Sequence, residues 1–412
     1  MHPPAPGLQP TATSARALAP DAARGFALLF IAIANLTVYL YGRDQGILFR
    51  PLDASVGDRV ADVLSALFID NRSFPLFSLL FAYGLHQLVT REERRGTAWP
   101  TVRRLLVKRN LWLFVFGALH GLLLFMGDIM HTYALAGFVL ILLMRSPNWV
   151  LWLVFGITAP LAVAFGSGDA AAASGLGALS GGAAPMMPSV LSETLLDAHL
   201  IRVGEFLPFL MLAPLTVLGI LPPMLLGLLM ARHQLLERPW EHARTLRLIA
   251  IGGVSAAVAG GIPFALGLAF GFDPGPVWFL AGSLHSATGI LAGAGYAALF
   301  ALIVASTQHS GATPSPVIRA LTALGRRSMS GYLAQSVIFL LIMPAWSLGL
   351  GGVVGTGGAF LIGTATWLAT LLGAVLLEKA GKAGPAEWAI RRLSYGRAPS
   401  SSPRLPPQAP FT

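Results

Sequence analysis

The chain has 412 residues, of which 55% are hydrophobic and 11% charged, with a formal net charge of +10. Soluble proteins carry about a quarter charged residues, so an ordinary soluble domain is excluded. No basic region stands apart from the apolar runs, which excludes a nucleic-acid binder, and the lack of cysteine excludes disulfides, thiolate nucleophiles and Cys-ligated metals.

Apolar runs of about 20 residues cross a bilayer as helices, and here they are continuous rather than alternating, which argues against a β-barrel. Residues 1–23 read as a disordered cytoplasmic tail rather than a cleavable signal, because the Ala-rich segment precedes the first apolar run. Span one covers 25–41. Span two is interrupted by Asp70-Asn71-Arg72-Ser73 and restarts at Phe74-Pro75, where a proline is tolerated in the first helical turn. Spans three, four and five cover 105–126, 129–144 and 149–165. Residues 167–200 form a Gly/Ala/Ser-rich flexible external linker, in which 189–202 can make a short surface helix. Spans six to ten follow at 206–230, 246–270, 277–304, 329–348 and 353–377, and 397–412 is a second disordered tail. The expected fold is an all-α polytopic membrane bundle of about ten helices. Residues 24–166 make an N-terminal five-helix part and 201–396 a C-terminal one.

Alternating these spans from a cytoplasmic N-terminus puts 23 of the 28 Lys and Arg inside and 5 outside. That asymmetry follows the positive-inside rule and places both termini in the cytoplasm. The expected partner is the lipid bilayer itself.

Polar side chains at membrane depth usually face other helices or a cavity. The stretch from Leu111 to Gly137 holds His120, Asp128, His131 and Tyr133 around a Gly127-Asp128 corner. With the orientation above, His120, Asp128, His285, Asp70, Arg72, Arg202 and Glu205 fall at one outer level. Each has a plain alternative. His120 and His285 can be packed, hydrogen-bonded core histidines, and Gly282, Ser286, Gly289 and Gly293 on the stripe of His285 let helices approach closely. Asp128 can cap span four or orient a histidine as the third member of a nucleophile–base–orienter set. A metal site from His120, His131 and Asp128 is the weaker alternative, and no metal is expected.

A second cluster lies at the inner side. Arg326 and Arg327 flank the start of span nine, whose Ser328, Tyr332, Gln335 and Ser336 share a stripe. A helix N-terminus beside two arginines suits a phosphate; the plain alternative is membrane anchoring and helix packing.

Several motifs together resemble a known family. They are Arg24-Gly25-Phe26-Ala27-Leu28-Leu29 with Asn35, Phe77-Ser78-Leu79-Leu80-Phe81-Ala82-Tyr83-Gly84, and Gly127-Asp128-Ile129 with Tyr133-Ala134-Leu135. Gly325-Arg326-Arg327-Ser328-Met329-Ser330 with Tyr332 and Gln335-Ser336 continues the series. Gly384-Pro385-Ala386-Glu387-Trp388 with Arg392 and Tyr395-Gly396 closes it. In this order they resemble the YeiB-like bacterial membrane proteins, domain of unknown function 418, which are similar to transmembrane acyltransferases such as heparan-glucosaminide acetyltransferase. The resemblance implies transfer of an acyl group from cytosolic acyl-CoA, a substrate rather than a resident cofactor, to an envelope glycan or lipid. Asp70 and Phe74-Pro75 look like the opening of that family's second helix, but the catalytic histidine expected just before it is missing, because no histidine lies between His2 and His86. The base would then be His120 or His285, oriented by Asp128 or Asp70. Arg326, Arg327, Ser328, Tyr332, Gln335, Arg72 and Arg24 are the candidate binding residues. A transporter or flippase using the same polar groups, and a non-catalytic scaffold, are the alternatives.

Overall fold

The computed structural model describes residues 17–166, 187–271, 277–309 and 314–395, which contain thirteen α-helices and an isolated β-bridge between Gln45 and Pro51. In chain order the helices are α1 (Leu18–Leu36), α2 (Val56–Phe68), α3 (Ser73–Arg94), α4 (Trp99–Leu123), α5 (Met130–Leu143), α6 (Asn148–Gly166) and α7 (Leu195–Arg232). Then come α8 (Ala243–Phe270), α9 (Trp278–His309), α10 (Pro316–Gly325), α11 (Ser328–Ile342), α12 (Thr356–Lys379) and α13 (Pro385–Tyr395). Eight segments are long and apolar enough to cross a membrane, one of them being α2 and α3 taken together, while α5, α10 and α11 are shorter apolar helices. The protein is an all-helical, polytopic membrane bundle.

Most expected spans appear within a few residues of their expected ends, because unbroken apolar runs leave the backbone no alternative but internal hydrogen bonding in lipid. Three differences matter. The first helix begins at Leu18, inside the segment read as a tail, since Ala19, Ala22 and Ala23 pack in the core. Residues 195–202 of the expected surface helix continue into span six as one 38-residue helix, α7, while Pro188–Leu191 makes a separate 3-10 turn. Residues 315–325 form an additional amphipathic helix capped by the Ser315 hydroxyl. The expected tail residues 1–16 and 397–412 and the linker residues 167–186 lie outside the described residues.

Several close packings set the frame. α8 lies along α9, α3 along α7, α1 along α10 and α4 along α5. The break at Asp70-Asn71-Arg72 is real: α2 stops at Phe68, Asn71 takes a positive φ of 56°, and α3 starts at Ser73. Gly289 and Gly293 of α9 sit against the backbone of Asn71 and Pro75. The small-residue stripe therefore does what its spacing implies and brings α9 onto this break.

The bundle has two chemically different ends. One gathers Arg24, Arg91, Arg94, Arg109, Arg232, Arg326 and Arg391 around a cavity. At the other, Leu36, Tyr39, Phe125, Met126, Val190, Phe206 and Met343 pack together.

Candidate functional site

The site is built on the α4–α5 hairpin. α4 ends at Leu123, the chain turns through Gly127 and Asp128, and α5 starts at Met130. The Asp128 carboxylate is completely buried at this turn and is shared between two imidazoles. Its Oδ1 accepts from Nδ1 of His120 at 2.8 Å, and its Oδ2 accepts from Nδ1 of His131 at 2.9 Å. Oδ2 also accepts the backbone N–H of His131 at 3.1 Å. The two readings of Asp128, helix cap and histidine orienter, are thus both satisfied by one carboxylate.

This arrangement sets the tautomers. A carboxylate only accepts, so each Nδ1 carries the proton and, in the neutral rings, each Nε2 presents a lone pair. Nε2 of His120 lies 2.8 Å from the hydroxyl oxygen of Ser336 on α11, which donates to it. Nε2 of His131 lies 3.3 Å from the Thr132 hydroxyl, itself 3.4 Å from that of Thr216 on α7. A hydrogen-bonded chain therefore runs Thr216–Thr132–His131–Asp128–His120–Ser336, and none of the three central side chains is more than 2% exposed. Burial alone would push the Asp128 carboxyl up, but the hydrogen bonds from His120 and His131 outweigh it and hold the group below its ordinary value.

Close helix approach makes the cluster possible. A Cβ at Gly117 would run into the backbone nitrogen of His131 and Oδ2 of Asp128, so only glycine lets α4 pass the start of α5. Tyr332, one turn before Ser336 on α11, packs its ring 4.9 Å from that of His120, and the Phe206 ring meets His131 edge-on at 5.2 Å.

Tyr332 also forms part of the wall of a cavity of about 790 Å³. Seven arginines against two glutamates, Glu237 and Glu387, line this cavity, so its field favours an anion. Inward from the arginines its walls become apolar or aromatic, with Leu28, Phe77, Leu113, Met130, Tyr133 and Tyr332. One polar rim and one apolar depth suit a molecule with an anionic head and an apolar tail. The His120 ring lies behind Tyr332.

The expected single level of polar groups separates into distinct places. His120 and Asp128 meet, but His285 does not join them: its Nε2 donates to the Ala66 carbonyl at 3.3 Å, and its ring packs on Phe264 at 4.8 Å. Asp70 accepts from Arg50 at 2.9 Å, in a buried group that also holds Asp62. Arg72 is fully buried and donates to the carbonyls of His285 and Ala257 at 3.1 and 2.7 Å, stapling the α2–α3 break to α8 and α9. These three residues hold helices together and lie away from the basic cavity.

The second cluster is also divided. Arg24, Arg326, Ser328 and Tyr332 line the cavity. Arg24 pairs with Asp21 at 3.0 Å, and Arg326 with Glu378 at 2.9 Å. Arg327 instead reaches the other oxygen of Glu378 at 2.6 Å and the Lys382 carbonyl, and Gln335 donates to the Leu28 carbonyl at 3.3 Å. The N-terminus of α11 is not an open anion site. Oε1 of Glu387 accepts the N–H groups of Met329 and Ser330 at 2.8 and 3.2 Å, and its Oε2 takes the Ser330 hydroxyl. A carboxylate of the chain already occupies the position that helix termini offer to anions.

Two members of the cluster, Ser336 and His131, are not among the catalytic or binding candidates read from sequence. Ser336 stands there only as a polar residue of the α11 stripe and as part of the family-like Gln335-Ser336 motif. His131 stands three residues after Asp128, the spacing at which a capping carboxylate meets a backbone N–H. Among the described residues, no group of three or more His, Asp or Glu side chains is placed to hold a metal ion.

Residues 230–397 match the family model described as "Protein of unknown function (DUF418)". The chain is 26% identical over 417 residues to "Uncharacterized protein YxaH" of Bacillus subtilis (strain 168), covering 94% of this chain and 96% of that protein. It is also 31% identical over 134 residues to "Uncharacterized 39.9 kDa protein in amylase 3'region" of Bacillus acidopullulyticus, which covers 32% of this chain and 36% of that one. No solved structure matches it. The family model thus matches the C-terminal part of the chain, and the Bacillus subtilis relative is similar to it along nearly its whole length.

Proposed function

We propose that the protein is a membrane acyltransferase that takes an acyl group from an anionic thioester donor in the basic cavity and passes it to an envelope glycan or lipid, through His120. The observation that carries this reading is the order Ser336–His120–Asp128. A hydroxyl, an imidazole and a carboxylate stand in series with both hydrogen bonds at 2.8 Å, which is the geometry of an activated nucleophile. Asp128 fixes the tautomer and stabilises the imidazolium; His120 takes the proton; Ser336 attacks.

The chemistry balances without another reactant. Ser336 Oγ forms a bond to the acyl carbonyl carbon as its proton passes to Nε2 of His120. The donor C–S bond breaks and the thiolate leaves with that proton. An acceptor hydroxyl then attacks the serine ester, giving its proton to His120, and Ser336 Oγ recovers it as the ester bond breaks. Rim arginines would hold the phosphate-bearing head of a donor of the acyl-CoA class, and the apolar depth would guide the acyl chain to Tyr332. Tyr332 must swing aside for the carbonyl to reach Ser336. With the basic end in the cytoplasm, as the distribution of Lys and Arg favours, the donor would come from the bacterial cytosol.

The test is acyl transfer from radiolabelled acyl-CoA by the full chain in liposomes, with trapping of an acyl-enzyme. Label on Ser336 that hydroxylamine releases, absent from Ser336→Ala and His120→Ala, supports the reading. Folded His120→Ala and Ser336→Ala proteins that turn over like wild type overturn it.

One observation favours a transporter instead. The chain from Thr216 to Ser336 links α7, α5, the α4–α5 turn, α4 and α11 and has the form of a proton relay. Proton-coupled solute movement without covalent change, lost in Asp128→Asn, would establish that reading.

A further inference from the structure

On the side of His120 away from the basic cavity, a second polar group stands among aromatic rings. Arg202, in α7, is fully buried, and its Nη1 donates to the Leu123 carbonyl at the end of α4 at 3.1 Å. Its Nε and Nη2 have no partner. These two atoms form the side-on edge of the guanidinium, whose parallel N–H bonds match the two oxygens of a carboxylate or phosphate. The Tyr39 hydroxyl, also fully buried and unpartnered, lies within electrostatic reach of this guanidinium.

Glu205 lies within electrostatic reach of Arg202 and Tyr39 and supplies a counter-charge, but it accepts no hydrogen bond from the fork. Glu205 is spent on Ser189, whose backbone N–H and hydroxyl it accepts at 2.6 and 2.8 Å. A buried cation with an unused donor edge is costly, and native structures provide such groups with partners. Two unused N–H donors on α7 and a hydroxyl in the turn after α1 lie within electrostatic reach of one another, and they suit an acceptor-rich guest.

The position is as specific as the chemistry. Phe125 stacks on Tyr39 with centroids 5.7 Å apart and lies 6.4 Å from the His120 ring. Phe206, one turn after Arg202, touches His131. A two-ring layer thus separates the Arg202–Tyr39 pair from the imidazoles.

We infer that the side-on edge of Arg202 and the Tyr39 hydroxyl bind one oxyanion, a carboxylate or phosphate, of a molecule that approaches from the end of the bundle opposite the basic cavity. To call that molecule the acyl acceptor rests on the acyl-transfer reading; the oxyanion site itself does not. The acceptor would then be acidic, either a soluble acidic glycan or a lipid with a phosphate headgroup.

The experiment uses the full chain in a non-ionic, phosphate-free detergent and follows thermal unfolding as inorganic phosphate, acetate or a short-chain phosphatidate is added. Saturable stabilisation of wild type is expected. It should weaken about tenfold or more in apparent affinity in Arg202→Lys, which keeps the charge but loses the fork, and in Tyr39→Phe. Arg94→Gln, at the basic cavity, should keep this component. Response to the small anions marks a soluble source, and response to phosphatidate alone marks a headgroup; either supports the site. Absence of saturable stabilisation, or a Tyr39→Phe protein that titrates like wild type, overturns it. Because Tyr39→Phe removes a single oxygen, the test holds if Arg202→Lys fails to fold. Anion binding that survives in His120→Ala while transfer is lost separates this inference from the acyl-transfer reading. Where transfer is measured, Arg202→Lys should raise KM for the acceptor about tenfold and leave KM for the donor unchanged.

Discussion

Ser336 and His120 are 216 residues apart, yet the serine hydroxyl donates to Nε2 of the histidine at 2.8 Å. The contact joins α11 to the end of α4. α11 has 15 residues, about 23 Å at 1.5 Å per residue, less than a hydrocarbon core of about 30 Å.

The serine–histidine–aspartate order predicts unequal effects of conservative changes. Asp128→Asn keeps the volume but offers an amide where His120 needs an acceptor, so the wrong ring tautomer is favoured. Turnover should fall on the order of 10²–10⁴-fold, with donor KM nearly unchanged. Steady-state transfer with labelled donor measures both parameters. Loss confined to KM would place Asp128 in binding instead.

Tyr332 is the partition between the basic cavity and His120. Tyr332→Ala should open that wall and expose the imidazole, raising the rate of His120 modification by diethyl pyrocarbonate several-fold; mass spectrometry of the modified peptide reads it. Tyr332→Phe keeps the ring and should leave the rate as in wild type.

Gly117 is the steric condition for the cluster. Gly117→Ala places a methyl group against His131 and Asp128 and should destabilise the protein by about 1–3 kcal/mol, as overpacking does, seen as a lower unfolding temperature in detergent. Gly204→Ala, where nothing lies within 4 Å of an added Cβ, is the matched control and should be nearly silent.

His285 separates the two histidines that the sequence leaves equivalent. His285→Gln retains a donor for the Ala66 carbonyl and should transfer acyl groups at the wild-type rate, while His285→Leu should lower the unfolding temperature. A loss of turnover in a stably folded His285→Gln protein would return this residue to the chemistry.

Asp128 also predicts a pH dependence. Its folded-state value lies below the ordinary one, about 3.9 for an aspartate. Its contribution to stability is therefore complete above that ordinary value and lost as the pH falls through the lowered one. Unfolding temperatures from pH 7 to 3 should show this acid limb in wild type, and Asp128→Asn should diminish it, leaving the part that Asp58, also held below its ordinary value, contributes.

The membrane character, the spans and the break at Asp70-Asn71-Arg72 were legible in the sequence, because they follow from local hydropathy and from backbone groups that lipid cannot satisfy. Gly127-Asp128 was legible as a corner for the same reason. The merging of 195–202 with span six was not. Hydropathy separates the two, and nothing local stops the helix between them.

The sequence by itself also determined which side chains are costly in a bilayer: His120, Asp128, His285, Arg72 and Arg202 all stood out. It could not determine which of them are neighbours. Tertiary structure decided that Asp128 joins His120 to His131, that Ser336 completes the series, and that Glu387 fills the α11 N-terminus beside Arg326. The physical reason is that a helix sequence specifies a face but not the partner helix that covers it. Ser336 looked like packing because its partner, His120, is supplied by another helix 216 residues away. His285 looked like a base because the Ala66 carbonyl that holds it comes from a segment 219 residues away.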